Sequence, residues 1–388
     1  MSHPYVIIFA TGLNGLGALR SSAAAGLKAY TLINKPSELC NYSRFSECSI
    51  LLPPKPTLQD ITPILDRIYI KEGGPGVLLA CSDGAAELLG GLKRDGLSRH
   101  HLIVPSSNTT RILNDKKLEC QIMKKGGIRL PKTYYQLAKD IPDSYPVIIK
   151  PRTFRDYRLL GSKNVLVHSR AELDAFCKKF DGQVERFIGQ QVIPGDDSNL
   201  WVCNVTFDRN MKLSACFIFN RLGTMPSHYG VTSLAISCEN EELRSTCAKI
   251  GVALNYCGPA MIEFKLDSGS NTYHYIETNP RLGMCNWFDT QCGVNNILAC
   301  SRIAYNESVS FEPQLNDRIY WNFFGDLIAR LENRESFTSI TTLYFRLLLR
   351  HRIGALFYWK DPYPAFRYSC TSVKNICSRV LKKLRGEV

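Results

Sequence analysis

Residues 261–281 contain the pattern that most constrains the fold of this chain. Two alternating runs, AMIEFKL and TYHYIETN, flank residues 268–271 (SGSN), which favour turns. We therefore predict a β-hairpin. Antiparallel pairing centred on residue 270 places Glu263 opposite Glu277, and the two-residue period of a strand places Asn279 on the same face as Glu277.

Two carboxylates directly opposite each other destabilise a sheet unless something neutralises them. A Mg²⁺ ion carrying nucleotide phosphates would do so, because Mg²⁺ prefers one or two carboxylates together with phosphate oxygens and water. The alternative interpretation is a solvent-facing hairpin edge with scattered charges. The hairpin alone does not decide between these two interpretations.

The chain of 388 residues is long enough for two or three domains. Its first residues lack the basic start of a signal peptide and predict a β-strand, and no apolar run of membrane-spanning length follows. The fifteen cysteines include no C-x-x-C pair, which indicates buried thiols in a reducing compartment. We expect a cytoplasmic protein.

The net charge of +13 is concentrated at the C-terminal end. Residues 341–388 contain ten Lys or Arg and two acidic residues, interleaved with aromatic side chains. This mixture fits an anionic membrane surface or an acidic partner, at the inner face of the membrane in a cytoplasmic protein. No motif for nucleic-acid recognition accompanies the charge, so no nucleic acid is expected. A helical appendage with a solvated basic face is the alternative.

The N-terminal region predicts a small parallel α/β domain. A strand at residues 5–9 is followed by glycines at 12, 15 and 17, a helix through residue 25, and the strand AYTLINK. The glycine spacing is G-x-x-G-x-G rather than the dinucleotide fingerprint, and no acidic residue ends the second strand, which disfavours nicotinamide binding. The glycines instead predict a tight turn and close helix packing.

Further motifs follow in a definite order. A helix from residue 108 contains Asp115 and Lys116, the strand PVIIKPR contains Lys150, and the strand GQQVIP precedes Gly195. The runs LWVCNVTF and LSACFIFNRL predict a hairpin that turns at residues 208–210, and a helix at residues 242–256 leads into the acidic hairpin.

This order of motifs, ending in Glu263 and E-T-N-P-R, resembles the ATP-grasp superfamily from about residue 5 to residue 305. Within it the chain looks most like the carboxylate–amine ligases akin to D-aspartate ligase, which are often associated with cell-wall and polysaccharide assembly. The pattern W-K-D-P at residues 359–362 also looks like the C-terminal end of that group.

The resemblance implies an α/β (α+β) ATP-grasp fold in four parts. These are a pre-ATP-grasp domain (1–108), a small lid subdomain (109–188), a large subdomain with the metal site (189–310) and a helical, basic C-terminal extension (311–388). The lid loop at residues 153–163 departs from the glycine-rich pattern of the family, since it contains only Gly161.

The resemblance also implies a role for each matching residue. Those implied to contact ATP are Lys116, Lys150, Lys163, Gln191 and Ile193; those implied to hold two Mg²⁺ ions, with Mn²⁺ as a substitute, are Glu263, Glu277 and Asn279; and Arg221 and Arg281 are implied to be catalytic. A solvated helix lysine is the alternative for Lys116, and an edge-strand charge is the alternative for Arg221.

The implied activity is ATP-dependent amide formation through an acyl phosphate, from a small-molecule carboxylate and an amine, one of them sugar-linked. Three other interpretations remain open: an ATP-binding scaffold with an altered lid, a ligase with a non-amine acceptor, and an oxidoreductase. Nothing in the chain resembles a biotin or CoA domain. Whether it forms a homodimer, or contacts a membrane through its tail, also stays open.

Overall fold

The computed structural model describes residues 4–141, 145–153, 156–226 and 230–370. Within these residues the strands form three sheets, of five, four and seven strands. The five-stranded sheet is parallel, the four-stranded sheet is antiparallel, and the seven-stranded sheet is antiparallel except for its last pair. This arrangement agrees with the predicted α/β (α+β) class.

The N-terminal sheet has the strand order β3-β2-β1-β4-β5. Its strands are β1 (Tyr5–Phe9), β2 (Lys28–Ile33), β3 (Cys48–Leu51), β4 (Val77–Ala80) and β5 (His101–Leu102), and its helices are α1 (Gly12–Ala24), α2 (Leu58–Glu72) and α3 (Asp83–Asp95). From β1 the sheet is built outward in two directions, through β2 and β3 on one side and through β4 and β5 on the other, so the strand order switches between β1 and β4. In parallel sheets the crevice for a ligand lies at that point, outside the carboxyl ends of the strands.

The three glycines of the first βα connection lie within α1, which begins at Gly12 with a φ of +50°. The prediction of close packing is confirmed. A Cβ atom on Gly15 would lie 2.7 Å from the Cβ of Ala10, and one on Gly17 would lie 2.2 Å from Oδ1 of Asn286. The connection between β1 and α1 is limited to Ala10 and Thr11, so the glycines after Gly12 lie inside the helix and not in the predicted tight turn.

The four-stranded sheet has the order β6-β9-β7-β8. Its elements are β6 (Thr133–Tyr134), α6 (Leu137–Asp140), β7 (Val147–Pro151), α7 (Tyr157–Leu160), β8 (Val165–Val167), α8 (Arg170–Lys179) and β9 (Phe187–Gln191). Leu173 and Phe176 of α8 pack on Val147 and Phe187 of the sheet in a core of their own. The predicted boundary at residue 188 therefore falls inside a strand of this sheet.

Two helices, α4 (Ser107–Leu113) and α5 (Lys116–Lys125), occupy the segment predicted to be one helix around Asp115. Asp115 instead caps α5, accepting hydrogen bonds from the backbone N–H groups of Lys117 and Leu118. Aspartate prefers this position because its side chain satisfies backbone donors that a helix leaves open. Both helices pack into the core of the large sheet, where Ile112 and Met123 are buried.

The seven-stranded sheet has the order β14-β13-β10-β11-β12-β15-β16. Its strands are β10 (Leu200–Phe207), β11 (Leu213–Met225), β12 (Val231–Ser237), β13 (Gly258–Asp267), β14 (Thr272–Asn279), β15 (Ile319–Trp321) and β16 (Arg352–Gly354). The accompanying helices are α9 (Glu241–Leu254), α10 (Asn286–Gln291), α11 (Asn296–Ala304), α12 (Phe323–Glu332) and α13 (Phe337–Leu348).

The C-terminal segment is not purely helical. In addition to α12, α13 and a helix at residues 363–370, it supplies β15 and β16 to one edge of the large sheet. Strands of three residues are too short to show a two-residue period, so the sequence pattern did not reveal them. The basic residues beyond residue 370 lie outside the described part of the chain.

Across the described ranges, no helix combines the length and the apolar character needed to cross a bilayer.

Candidate active site

The β13–β14 hairpin pairs Glu263 with Glu277, as predicted. Nearer the turn the register differs by one residue, since Asp267 pairs with Thr272 and the hairpin is centred between residues 269 and 270. A bulge at Ile276 adds the residue that brings the two glutamates opposite each other. The predicted centre is thus correct only beyond the bulge, where the acidic residues lie.

Each glutamate of this pair has a cationic partner. Nη2 of Arg221 on β11 lies 2.7 Å from Oε1 of Glu263. Nζ of Lys116 on α5 lies 3.3 Å from Oε2 of Glu277, whose Oε1 accepts a hydrogen bond of 3.2 Å from Asn279 Nδ2. The repulsion between the opposed carboxylates is therefore offset by two residues from other elements.

The pKa values of the neighbouring groups are strongly shifted. Burial alone would raise the pKa of Glu277, but the charges of Lys116 and Lys150 outweigh it and lower that pKa to about 2. Burial and the like charge of Lys116 lower the pKa of Lys150 to about 8. For Lys116, the attraction of Glu277 and Glu119 outweighs burial and raises the pKa. Such shifts are frequent at functional sites.

Glu119, which the sequence pattern did not reveal, determines how α5 meets the hairpin. Its buried carboxylate accepts hydrogen bonds from the hydroxyl of Tyr275 and, at 3.1 Å, from the backbone N–H of Thr278. These bonds fix α5 against β14 and so carry Lys116 to Glu277. Burial raises the pKa of Glu119. In the sequence it looks like an ordinary glutamate on the surface of a basic helix.

Arg281 connects the hairpin to the N-terminal sheet. Its Nε lies 2.8 Å from Oδ1 of Asp83, the first residue of α3. The adjacent backbones are also joined, since the N–H of Leu282 donates to the carbonyl of Ala80 at 3.1 Å. Asn14 Nδ2 donates to the carbonyls of Cys81 and Leu282, both at 2.8 Å. These bonds fix Arg281 at the crevice between β1 and β4.

A cleft of about 710 Å³ lies where the three sheets meet. All ten residues predicted for the site line it: Lys116, Lys150, Lys163, Gln191, Ile193, Arg221, Glu263, Glu277, Asn279 and Arg281. The structure therefore brings together residues from all three sheets and from α5. Their individual roles stay predictions. Asp83 and Tyr157 also line the cleft and were not among the predicted site residues.

Apolar as well as charged side chains line the cleft. Ile148, Val192, Ile193, Leu200 and Ile276 supply apolar surface, which suits the faces of a purine ring. Ile148 and Lys150 lie two residues apart on β7, so an apolar and a cationic side chain line the cleft from the same strand. A nucleotide with its base against the apolar residues could therefore place its phosphates beside Lys150.

The donor set at the hairpin fits Mg²⁺. Glu263 and Glu277 supply carboxylate oxygens and Asn279 an amide oxygen, all of which a hard cation prefers, while phosphate and water would complete the shell. In the described ranges, no group of three or more His, Cys, Asp and Glu side chains could hold a metal ion by itself, without ligands from a nucleotide or water. The hairpin is therefore suited to a cation that arrives with a nucleotide.

The base of the lid loop is held by ion pairs. Arg152 donates to both carboxylate oxygens of Asp115, at 2.6 to 3.0 Å, and Asp156 pairs with Arg186. Beyond this base Tyr157 lines the cleft, where the resembling family has glycines. Residues 154–155 lie outside the described ranges, and Lys163 reaches the cleft from the far side of the loop.

Comparison with known proteins agrees with this architecture. A family model described as the ATP-binding domain of the carbamoyl-phosphate synthase L chain matches residues 233–310, which include the hairpin and Arg281. D-aspartate ligase of Enterococcus faecium (strain Aus0004) is 26% identical over 238 residues, 56% of each protein. The match thus spans little more than half the length of that relative.

Solved structures extend the likeness over most of the chain. N5-carboxyaminoimidazole synthetase from Staphylococcus aureus has a TM-score of 0.64 at 16% identity, covering 87% of each chain. The biotin carboxylase domain dimer of 2-oxoglutarate carboxylase from Hydrogenobacter thermophilus, solved with MgADP, ADP and bicarbonate, has a TM-score of 0.61 at 15% identity, covering 82% of this chain and 74% of the other. The chain therefore has the fold of these solved enzymes, and part of its sequence is similar to D-aspartate ligase.

Proposed function

We propose that the protein is an ATP- and Mg²⁺-dependent carboxylate–amine ligase that forms an amide through an acyl phosphate. The observation that carries this proposal is the convergence of two opposed glutamates with Lys116, Lys150, and two arginines in one cleft. A site with alternating cations and carboxylates can hold a metal–nucleotide complex and a carboxylate side by side. The likeness to structures solved with MgADP supports the choice of nucleotide.

The lysines would bind the ATP phosphates. Lys150 lines the cleft, where a phosphate group would stabilise its positive charge, and Lys116 and Lys163 add charge from α5 and the lid. Glu263, Glu277 and Asn279 would hold two Mg²⁺ ions, for which Mn²⁺ could substitute. The positive charge of these ions would neutralise the β- and γ-phosphates. The apolar residues around Ile193 would contact the adenine.

The reaction would proceed in two displacements. An oxygen of the substrate carboxylate attacks the γ-phosphorus of ATP, the bond to the bridging oxygen breaks, and ADP leaves. A neutral amine then attacks the carbonyl carbon of the acyl phosphate, inorganic phosphate leaves, and the amine releases a proton. Arg281 would orient the carboxylate through its planar guanidinium, and Arg221 would stabilise charge on the transferring phosphoryl group.

For the substrates we propose a small carboxylate and an amine, one of them attached to a cell-envelope or polysaccharide precursor. The sequence similarity to D-aspartate ligase supports an amide-forming reaction. We further propose a cytoplasmic protein whose basic C-terminal segment lies against the inner face of the membrane. A homodimer is the assembly we propose, since one solved structure of this fold is a dimer.

The test is ADP release by the purified full chain with Mg²⁺ and pools of amino acids, uronic acids and amino sugars. We expect release that needs both a carboxylate and an amine and that disappears in Glu277→Gln. The matched control is Glu87→Gln, an exposed glutamate of α3 that does not line the cleft. ADP release that Glu277→Gln leaves unchanged would contradict the assignment of the site.

A second candidate is an ATP-binding scaffold without catalysis. The ion pairs at the base of the lid and the scarcity of glycine in it favour this reading, because closure over the phosphates requires a mobile segment. Binding of ATP with Mg²⁺ but no ADP release in any pool would support the scaffold over the ligase. No ATP binding would contradict both.

A further inference from the structure

Helix α13 has an exposed apolar face in addition to its buried one. Ile340 and Leu347 are buried against Leu234 and Ile319 of the large sheet. The exposed apolar residues are Phe337 (78% exposed), Phe345 (65%), Leu348 (53%) and Leu349 (76%), the residue that follows the helix. The last three lie 8, 11 and 12 residues after Phe337. With 3.6 residues per turn these four side chains lie on one side of the helix, together with the exposed Thr338 and Thr341. Large apolar side chains grouped on an exposed surface in this way are typical of interaction sites.

The polar residues of α13 lie beside this face. Ser339, Thr342 and Arg346 border an open depression of about 520 Å³, together with Arg330 of α12. The exposed side of the helix thus passes from large apolar side chains to the hydroxyl groups of Ser339 and Thr342 and the guanidinium group of Arg346, whereas Arg330 is already paired with Asp326 and Glu335. Helices that lie flat in a membrane interface have this division, with apolar side chains toward the acyl chains and Arg or Lys toward the headgroups.

The segment that contains α13 carries charge of one sign, although the carboxylates of Asp326 and Glu335, both paired with Arg330, lie beside the helix. Residues 336–360 contain Arg346, Arg350, Arg352 and Lys360 and no acidic residue. The next acid, Asp361, is buried in an ion pair with Arg20. Aromatic side chains continue along the same segment, with Phe357 and Trp359 both highly exposed. An acidic surface complements this segment, and its aromatic residues are of the kind enriched at membrane–water interfaces.

We infer that the exposed face of α13 is a membrane-docking surface for anionic phospholipid. Phe345, Leu349 and their neighbours enter the interface, while Arg346 and Arg350 contact lipid phosphates. α13 packs at the β15 end of the large sheet, whereas the acidic hairpin forms its opposite edge. Docking through α13 would therefore leave the cleft accessible to soluble substrates. This inference rests on the membrane contact proposed above, for which it specifies the surface, and it does not depend on the ligase activity.

The test is co-sedimentation of the full chain with vesicles. We expect binding to mixed phosphatidylcholine–phosphatidylglycerol vesicles that weakens with added salt, and little binding to phosphatidylcholine alone. Phe345→Ser with Leu349→Ser should weaken binding by on the order of tenfold or more, and Arg346→Gln with Arg350→Gln similarly. Circular dichroism should show both variants folded, since all four side chains are exposed.

Matched controls distinguish binding through this surface from nonspecific binding to vesicles. Ile70→Ser with Val252→Ser removes two apolar side chains of similar exposure, 71% and 67%, from α2 and α9. Lys124→Gln with Lys125→Gln removes two exposed charges from the end of α5. Both controls should retain wild-type binding to the anionic vesicles.

Three results would overturn the inference. The first is no sedimentation of the wild type with anionic vesicles. The second is binding that depends on the arginines but not on Phe345 and Leu349, which indicates a purely electrostatic polyanion site. The third is a dimer, detected by sedimentation velocity, that dissociates in Phe345→Ser with Leu349→Ser while vesicle binding stays unchanged. In that case the exposed face of α13 would be covered by a second copy of the chain. ADP release is measured separately and does not depend on these outcomes.

Discussion

Lys116 Nζ and Glu277 Oε2 lie 3.3 Å apart, although 161 residues separate them in the chain. The lysine is the first residue of α5 and the glutamate lies near the end of β14. Each shifts the pKa of the other toward its charged form. A cation bound at the hairpin would share Glu277 with this lysine, so the pair links the binding of metal to the position of α5.

This pair should be measurable as a coupling energy. Lys116→Met, Glu277→Gln and the double variant form a thermodynamic cycle for urea unfolding. We expect a coupling of about 1 kcal/mol, because the Glu277 side chain is 34% exposed and solvent screens part of the attraction. Strictly additive single effects would contradict a direct interaction between the two groups.

Nucleotide binding should depend on pH through Lys150. Its folded pKa of about 8 lies below the usual 10.5, so the lysine loses its charge as pH rises through 8. Phosphate beside the lysine favours the charged form, and ATP binding above pH 8 should therefore take up a proton and weaken as pH increases. Calorimetry in buffers of different ionisation enthalpy measures the proton uptake. Lys150→Arg should lose this dependence, since arginine stays charged.

The same shift affects stability in the absence of nucleotide. Because the folded state holds the Lys150 proton less tightly than the unfolded state, its unfavourable contribution is fully present below pH 8. This contribution diminishes as pH rises from 8 toward 10.5. Lys150→Met should therefore raise the free energy of unfolding more at pH 7 than at pH 10. An equal effect at both pH values would show that the lysine is not buried as described.

Arg20 and Asp361 form a buried ion pair between α1 and the C-terminal segment, with Nε and Oδ2 3.0 Å apart. Arg20→Ala should lower the free energy of unfolding by about 3–5 kcal/mol, because Asp361 would remain buried without its main partner. Arg20→Met with Asp361→Leu should be less destabilised than either single change. Arg94→Ala, which breaks an exposed pair with Asp95, should have no measurable effect.

Gly17 should not accept a side chain. A Cβ atom there would lie 2.2 Å from Oδ1 of Asn286, whose Nδ2 donates to Asn14. Gly17→Ala should lower the melting temperature and, by moving Asn14, also weaken ATP-dependent turnover. Gly84→Ala is the matched control, since the space around Gly84 within 4 Å is free and alanine favours its helix. Equal melting temperatures for the two variants would contradict the described contact.

The sequence predicted the part of the site whose residues are close in the chain. Turn residues and a two-residue period are local properties, so Glu263 and Glu277 could be placed opposite each other before any fold was known. The bulge at Ile276 has no such signature. Its effect happened to favour the predicted pair.

Residues whose partners are distant in the chain were not predictable in the same way. Glu119 occupies a basic helix and becomes buried only because β14 packs on α5, 156 residues later. Asp83 and Arg20 could not be assigned a role from the sequence, since their partners Arg281 and Asp361 lie 198 and 341 residues away. Burial and pairing of this kind depend on tertiary packing, which local propensity does not report.

The hydrogen bonds of Asn14 have a mechanical consequence. They join the carboxyl ends of the N-terminal strands to the segment after β14, and Asn286 holds Asn14 from the other side. The N-terminal sheet and the large sheet are thereby joined beneath the cleft. The four-stranded sheet has a core of its own and is attached to α5 through the bonds of Arg152 to Asp115 and to the backbone of Lys116. We therefore expect a change in the width of the cleft to disturb the Arg152–Asp115 pair before it disturbs the bonds of Asn14.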